Sequence, residues 1–261
     1  MSETQRYFST FAGKGARLPN VKAVLRELDA GKTVEHVRQA VVDEDLLDGG
    51  TRKSRETVWK EIYRRYMSGR SDAHSATLAR MVTRSTDPLT QNLVLFYEYC
   101  QVDALLYDLT AQCTYTLYHD ARTTIGKLEV NEWLTQQEAA HPELAQWSPQ
   151  VRGRLLNGYL ATIRDFGLVT GNRQKTFYKF YMPREAFVYA LYQQKDRGIA
   201  GKALIESPDW RLFLLNPQDV LFMLQDAAQG GFIHFRHAGD IYDLRYLYAD
   251  LEEVVHVLTG G

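Results

Sequence analysis

The chain has 261 residues with 31 Lys and Arg against 32 Asp and Glu, long enough for roughly two or three compact units with their own cores. Near-neutral charge excludes a bulk polyelectrolyte such as a histone, although local patches can still set a nucleic-acid footprint. Two cysteines, Cys100 and Cys113, exclude a disulfide framework and suit a reducing cytoplasm.

Residues 1 to 20 read as a loop or loosely held arm, broken by Gly13, Gly15 and Pro19. Ala12-Gly13-Lys14-Gly15 is not a phosphate loop, because that signature needs Ser or Thr after its lysine. Asn20 is expected to cap a helix from Val21 to Leu28, and Thr33 another from Val34 to Val42. Thr51 opens a long helix to about Met67, with Val58, Trp59, Ile62, Tyr63 and Tyr66 inward. Arg52, Lys53, Arg64 and Arg65 lie among the bases on its other side, either a solvated face or a phosphate-binding one. A helix over Ala73 to Val82 follows, then a break at Asp87-Pro88.

Leu89 to Leu117 reads as a buried helical stretch. Its most apolar part, Leu93 to Leu109, is interrupted by Glu98, Asp103 and Asp108, which argues against a membrane span. No N-terminal apolar run resembles a signal peptide. Between Asp87 and Glu143 there are nine acids and only Arg122 and Lys127 as bases. The balance then reverses: from Gln150 to Arg184 there are seven bases against Asp165 alone.

That basic stretch belongs to a segment, Leu128 to Pro183, read as helix, turn, long helix and β-ribbon, the order of a winged helix-turn-helix. His141-Pro142 closes the first helix, because proline lacks a donor and restrains the residue before it. Ser148 as N-cap and Pro149 at the first helical position start the second, from about Gln150 to Phe166. At about 100° per residue, Val151, Leu155, Leu156, Tyr159, Ile163 and Phe166 share one arc. Gln150, Arg154, Asn157, Gly158 and Ala161 share the opposite arc, with Arg164 at its margin. Arg, Gln and Asn are the side chains that pair with guanine and adenine edges in the major groove. Gly167 stops the helix, Leu168-Val169 begins a strand, and Thr176 to Tyr181 alternates as a second one. Arg173, Lys175 and Lys179 are spaced as phosphate contacts of a wing. An ordinary helix and hairpin, kept soluble by its charges, is the other reading of this pattern.

Beyond it, helices are expected over Arg184 to Lys195 and Val220 to Ala228, with a short segment at Trp210 to Leu215. Strands Phe232 to Arg236 and Ile241 to Tyr246 and a helix Asp250 to Leu258 complete a small C-terminal module, better suited to folding or docking than to reading DNA. No catalytic or metal constellation emerges. His234 and His237, three apart on a strand, point to opposite faces, and the chain has neither HExxH nor GxSxG.

Gly31-Lys32-Thr33 to Leu47, the basic helix from Thr51, and Trp133 through His141-Pro142-Glu143-Leu144 to Arg164-Asp165-Phe166-Gly167-Leu168-Val169 resemble the BrxA family. Trp210 to Asn216 and Gln229-Gly230-Gly231 fit the same pattern. BrxA is an accessory protein of BREX bacteriophage-defence systems. The resemblance implies an N-terminal helical domain similar to the NusB antitermination fold, a winged helix-turn-helix, and double-stranded DNA binding in phage restriction. It supplies no catalytic motif and no cofactor, and the inner-membrane label the family has carried finds no span here.

Taken together, the chain is expected to be mainly α (α+β) and cytoplasmic. Its expected domains are 1–86 (helical), 87–183 (helical connection and winged helix-turn-helix) and 184–261 (C-terminal α/β module). The expected function is non-catalytic binding of double-stranded DNA. Gln150, Arg154 and Asn157 would face the groove, Arg164, Arg173, Lys175 and Lys179 would hold phosphates, and Arg52, Lys53, Arg64 and Arg65 would extend the footprint. Two alternatives stay open: an adaptor that grips a methyltransferase or ATPase of the same system, and RNA binding through the N-terminal helices.

Overall fold

A computed structural model describes residues 6–10, 15–239 and 241–260. Residues 11–14, which carry most of the glycine–lysine stretch, lie outside the described residues. The helices are α1 (Leu18–Asp29), α2 (Val34–Val42), α3 (Arg52–Tyr66), α4 (Asp72–Arg84), α5 (Pro88–Cys100) and α6 (Ala104–Asp108). A π-helical turn (Leu109–Thr114) leads into α7 (Tyr115–His119), β1 (Thr124–Ile125), α8 (Lys127–Gln136), a 3-10 turn (Pro142–Gln146), α9 (Pro149–Asp165) and β2 (Lys175–Thr176). Then come α10 (Arg184–Asp196), α11 (Gly201–Ile205), a 3-10 turn (Pro208–Phe213), α12 (Pro217–Gln229), β3 (Ile233–Ala238), β4 (Ile241–Tyr246) and α13 (Leu251–Leu258). The chain is mainly helical, with two small antiparallel pairs of strands. None of the helices described is long and apolar enough to cross a membrane.

The chain packs as two compact units that interleave along the sequence, whereas the sequence reading set three domains end to end. The first comprises the described residues of Met1–Ala16, Tyr99–Met182 and Ile205–Phe222; the second, those of Arg17–Glu98, Pro183–Leu204 and Met223–Gly261.

In the second unit, α1 packs on α4, α2 on α3, and α13 on both α4 and α10. Helix α1 buries Val21, Val24, Leu25 and Leu28, the i, i+3, i+4, i+7 stripe of a one-sided helix. It starts at Leu18 with Pro19 in its first turn, so Asn20 is inside the helix and not its cap. Thr33, Thr51 and Ser71 cap α2, α3 and α4 through their hydroxyls. On α3 the buried side carries Trp59, Ile62 and Tyr66 together with Glu61 and Arg65. Tyr63, expected inward, is exposed, and Arg65, expected outward, is fully buried. The helical stripe rotates toward 62, 65 and 66, which takes position 63 out of the core. β3 and β4 pair from Ile233↔Tyr246 to Ala238↔Ile241.

The apolar stretch Leu93 to Leu109, expected to be a buried helix, is interrupted in the first unit. Asp103 leaves the helical conformation and caps α6 by accepting from the Leu106 N–H at 3.1 Å. The chain then widens into the π turn, where the Tyr159 hydroxyl meets the hydroxyls of Thr110 at 3.3 Å and Thr114 at 2.5 Å. Residues 1 to 20 are expected to be a loop or a loosely held arm, but at Tyr7 the chain is anchored. The Tyr7 N–H donates to Glu143 at 2.7 Å, its hydroxyl donates to Asp108 at 2.6 Å, and its ring stacks on His141. Asp103 is itself buried.

Candidate nucleic-acid interface

In the first unit, α9 and the strand pair β1–β2 position most of the candidate residues. Ser148 accepts from the Val151 N–H at 3.3 Å, and Pro149 occupies the first turn. Leu155, Leu156, Tyr159 and Ile163 are buried, while Gln150, Arg154 and Asn157 are exposed. The three exposed residues, four and then three apart, form one stripe along the helix. Gly158, expected on the open arc, is buried; at position 158 the arc has already turned into the packed side. Arg152 is held by Glu138 at 2.8 Å.

After Asp165, Gly167 adopts φ 91° and its N–H returns to the Arg164 carbonyl, while Leu168 N–H reaches Ile163. This is the ending expected of a left-handed glycine just past a helix. Thr170 and Thr176 exchange both backbone bonds at 2.9 Å, and β2 pairs on its other side with β1, Thr124↔Thr176 and Ile125↔Lys175. The expected strand Thr176 to Tyr181 is therefore cut short. Phe177 N–H still finds the Thr123 carbonyl, but neither neighbour extends further, and residues 177–183 have no regular structure.

Pairing β2 with β1 brings the 171–175 loop beside the start of α8. The result is a groove of about 500 Å³ next to α9. Asn157, Arg164, Arg173 and Lys175, four of the residues expected to touch DNA, line it, and so do Lys127 and Gln174, which were not singled out from sequence. Nothing in the sequence marked Lys127, because its place depends on the register of β1 with β2. Gln150 and Arg154 lie outside the groove, farther toward the start of α9.

The cations differ in how committed they are. Arg164 is bound by Asp165, and its Nη1 donates to the Asn172 side chain at 3.2 Å. Lys175 is buried, against the expectation of a free phosphate contact, and its ammonium donates to the Asn172 carbonyl. Burial first, and the positive charge of Arg164 second, hold that ammonium below its ordinary pKa. Arg173 is exposed, and Lys179 is exposed with its ammonium 5.0 Å from the centre of the Tyr181 ring. The remaining four bases belong to the second unit. There Arg52 is paired with Asp43 at 2.9 Å and Glu56 at 2.8 Å, Lys53 is exposed, Arg64 is half-buried and Arg65 is buried. Arg65 is thus withdrawn from solvent and unsuited to a phosphate contact. Among the described residues no cluster of three or more His, Cys, Asp or Glu could hold a metal ion.

By architecture this is a mainly helical protein with short two-stranded sheets. It resembles the crystal structure of an uncharacterized protein from Magnetospirillum magneticum, with a TM-score of 0.62 and 16% identity over 81% of this chain and 100% of that one. The BrxA family model matches residues 5–193, and the chain belongs to the BrxA family. Membership implies a BREX-associated role. The matched span contains the motifs from Gly31 to Val169, while those at 210–216 and 229–231 lie beyond it. No curated protein matches the chain.

Proposed function

We propose that this protein is a cytoplasmic, non-catalytic component of a BREX-type defence system that binds double-stranded DNA through a winged helix-turn-helix in its first unit. The order of elements supports that reading. Helix (104–119), β1, α8, a tight turn, α9, the bridge at Thr170, a loop and β2 follow one another as in winged helices, with α9 as the reading helix. The observation that carries it is the exposed stripe Gln150, Arg154 and Asn157 on a helix whose other side is buried. Such side chains pair bidentately with purine edges. Arg173 and Lys179 supply backbone contacts that fix register without reading sequence.

Duplex-DNA affinity measured across a salt series, with structured RNA as a control, tests it. The reading requires a shift on duplex DNA that weakens steeply with salt. It also requires Arg173→Ala with Lys179→Ala to weaken all sequences alike and flatten the salt dependence. Tighter binding to RNA, or no shift together with co-purification of a methyltransferase or ATPase, would replace it by the RNA or the adaptor reading.

A further inference from the structure

We infer that the groove beside α9 seats one stretch of the duplex's sugar–phosphate backbone, and that Lys127 is a phosphate-binding residue there. The inference rests on the DNA reading and deepens it. Four cations line the groove, Lys127, Arg164, Arg173 and Lys175, against one carboxylate, Glu129. That carboxylate is already occupied, accepting the Gly126 N–H at 3.0 Å to cap α8. Arg164 is answered by Asp165 and Lys175 by a carbonyl. Lys127 and Arg173 are exposed and have no ion-pair partner among the described residues. Uncommitted cations of this kind exchange counterions for phosphates when a strand docks.

The lining also says which part of a nucleotide fits. No aromatic ring lines the groove, so a base would find nothing to stack on. The amides of Asn157, Asn172 and Gln174 instead offer hydrogen bonds suited to phosphate and sugar oxygens. Asn157 is shared with the reading stripe, so a strand in the groove runs directly beside the base edges that α9 would face. A volume of about 500 Å³ takes a nucleotide-sized length of backbone. Because β1–β2 pairing fixes both walls, Ile125 beside Lys127 on one and Lys175 on the other, the seat is built before DNA arrives.

The test uses the full chain and a duplex at several salt concentrations. Lys127→Ala is expected to weaken every duplex to the same degree and to reduce the slope of log K against log salt by about 0.9, the contribution of one phosphate. Lys127→Arg should restore the slope. An unchanged slope in Lys127→Ala, while Arg154→Ala, outside the groove, still alters binding, would overturn the seat and leave the DNA reading intact. No duplex binding by the unmodified protein would remove both. Inorganic phosphate, titrated separately, identifies the remaining source of the same chemistry. Lys127-dependent phosphate binding without a Lys127 effect on duplexes would mean a small-anion site and overturn the proposal.

Discussion

Arg70 Nη2 lies 2.5 Å from Glu98 Oε2, and the same nitrogen donates to the Glu98 backbone carbonyl at 2.9 Å. Glu98 is fully buried, and its Oε1 also accepts from the Tyr189 hydroxyl at 2.6 Å and Gln193 Nε2 at 2.5 Å, with His74 Nε2 at 3.1 Å. All five residues belong to the second unit. Burial alone would raise the carboxyl's pKa. The bond to His74, the charge of Arg70 and the Tyr189 bond outweigh burial and hold the pKa below its ordinary 4.5.

Glu98→Gln should therefore destabilise the protein by about 3 kcal/mol or more at neutral pH, because it leaves the Arg70 guanidinium without its counter-charge. Urea unfolding measures it. A carboxyl whose folded pKa is depressed contributes stability above its unfolded pKa and loses it as pH falls through the folded value. The unmodified protein should thus lose stability below about pH 4.5, and the variant should lose less over that window.

Tyr7 carries the second prediction. Its stack on His141, with ring centroids 3.6 Å apart, and its bonds to Asp108 and Glu143 fix the arm to the first unit. Tyr7→Phe keeps the stack and removes a hydrogen bond to a carboxylate, about 1.5–3 kcal/mol. Tyr7→Ala removes the buried ring as well, about 3–5 kcal/mol. Limited proteolysis should find new cleavage near the N-terminus in the alanine variant. Equal resistance in both variants would mean the ring does not hold the arm.

What the sequence made legible here was local, and what it hid was long-range. Thr33, Thr51 and Ser148 announced their helices because a cap needs only residues three apart. The stripe Gln150, Arg154, Asn157 followed from helical period alone. Lys175 and Arg65 were misplaced for the opposite reason. Charge, and for Lys175 the spacing of a wing's phosphate contacts, put them in solvent, but pairing with Ile125 and the packing of α3 put them inside. Tyr7 looked like a residue in a loop because its partners, Asp108 and Glu143, are more than a hundred positions away. Lys127 was invisible as a site residue until two strands of two residues each were paired.

Gly171 is the third point of leverage. It has φ 89°, and an added Cβ would fall 2.1 Å from the Gln174 carbonyl oxygen. No side-chain rotation relieves a clash with backbone, and a left-handed conformation already costs a non-glycine residue about 1–2 kcal/mol. Gly171→Ala should open the 171–175 loop, lower stability by at least that amount, and weaken duplex binding as much as Arg173→Ala does. Combining the two substitutions should add little, since both act on the same loop.

Lys175 gives a prediction in which binding and stability move in opposite directions with pH. Its ammonium is buried, and burial with the neighbouring Arg164 keeps its pKa below the ordinary 10.5. For a lysine with a depressed folded pKa, the charged form is a penalty to the fold below that value. The penalty is relieved as pH rises through it toward the unfolded pKa. Stability should therefore rise over the alkaline range that ends near 10.5, and Lys175→Met should remove that rise by eliminating the titrating group. A phosphate in the groove interacts with the charged form and not with the neutral one, so duplex affinity should fall over the same window. Lys175→Arg, which stays charged throughout, should keep its affinity where the unmodified protein loses it. Affinity that declines equally in the lysine and arginine forms would show that Lys175 adds nothing to the groove's hold on the strand.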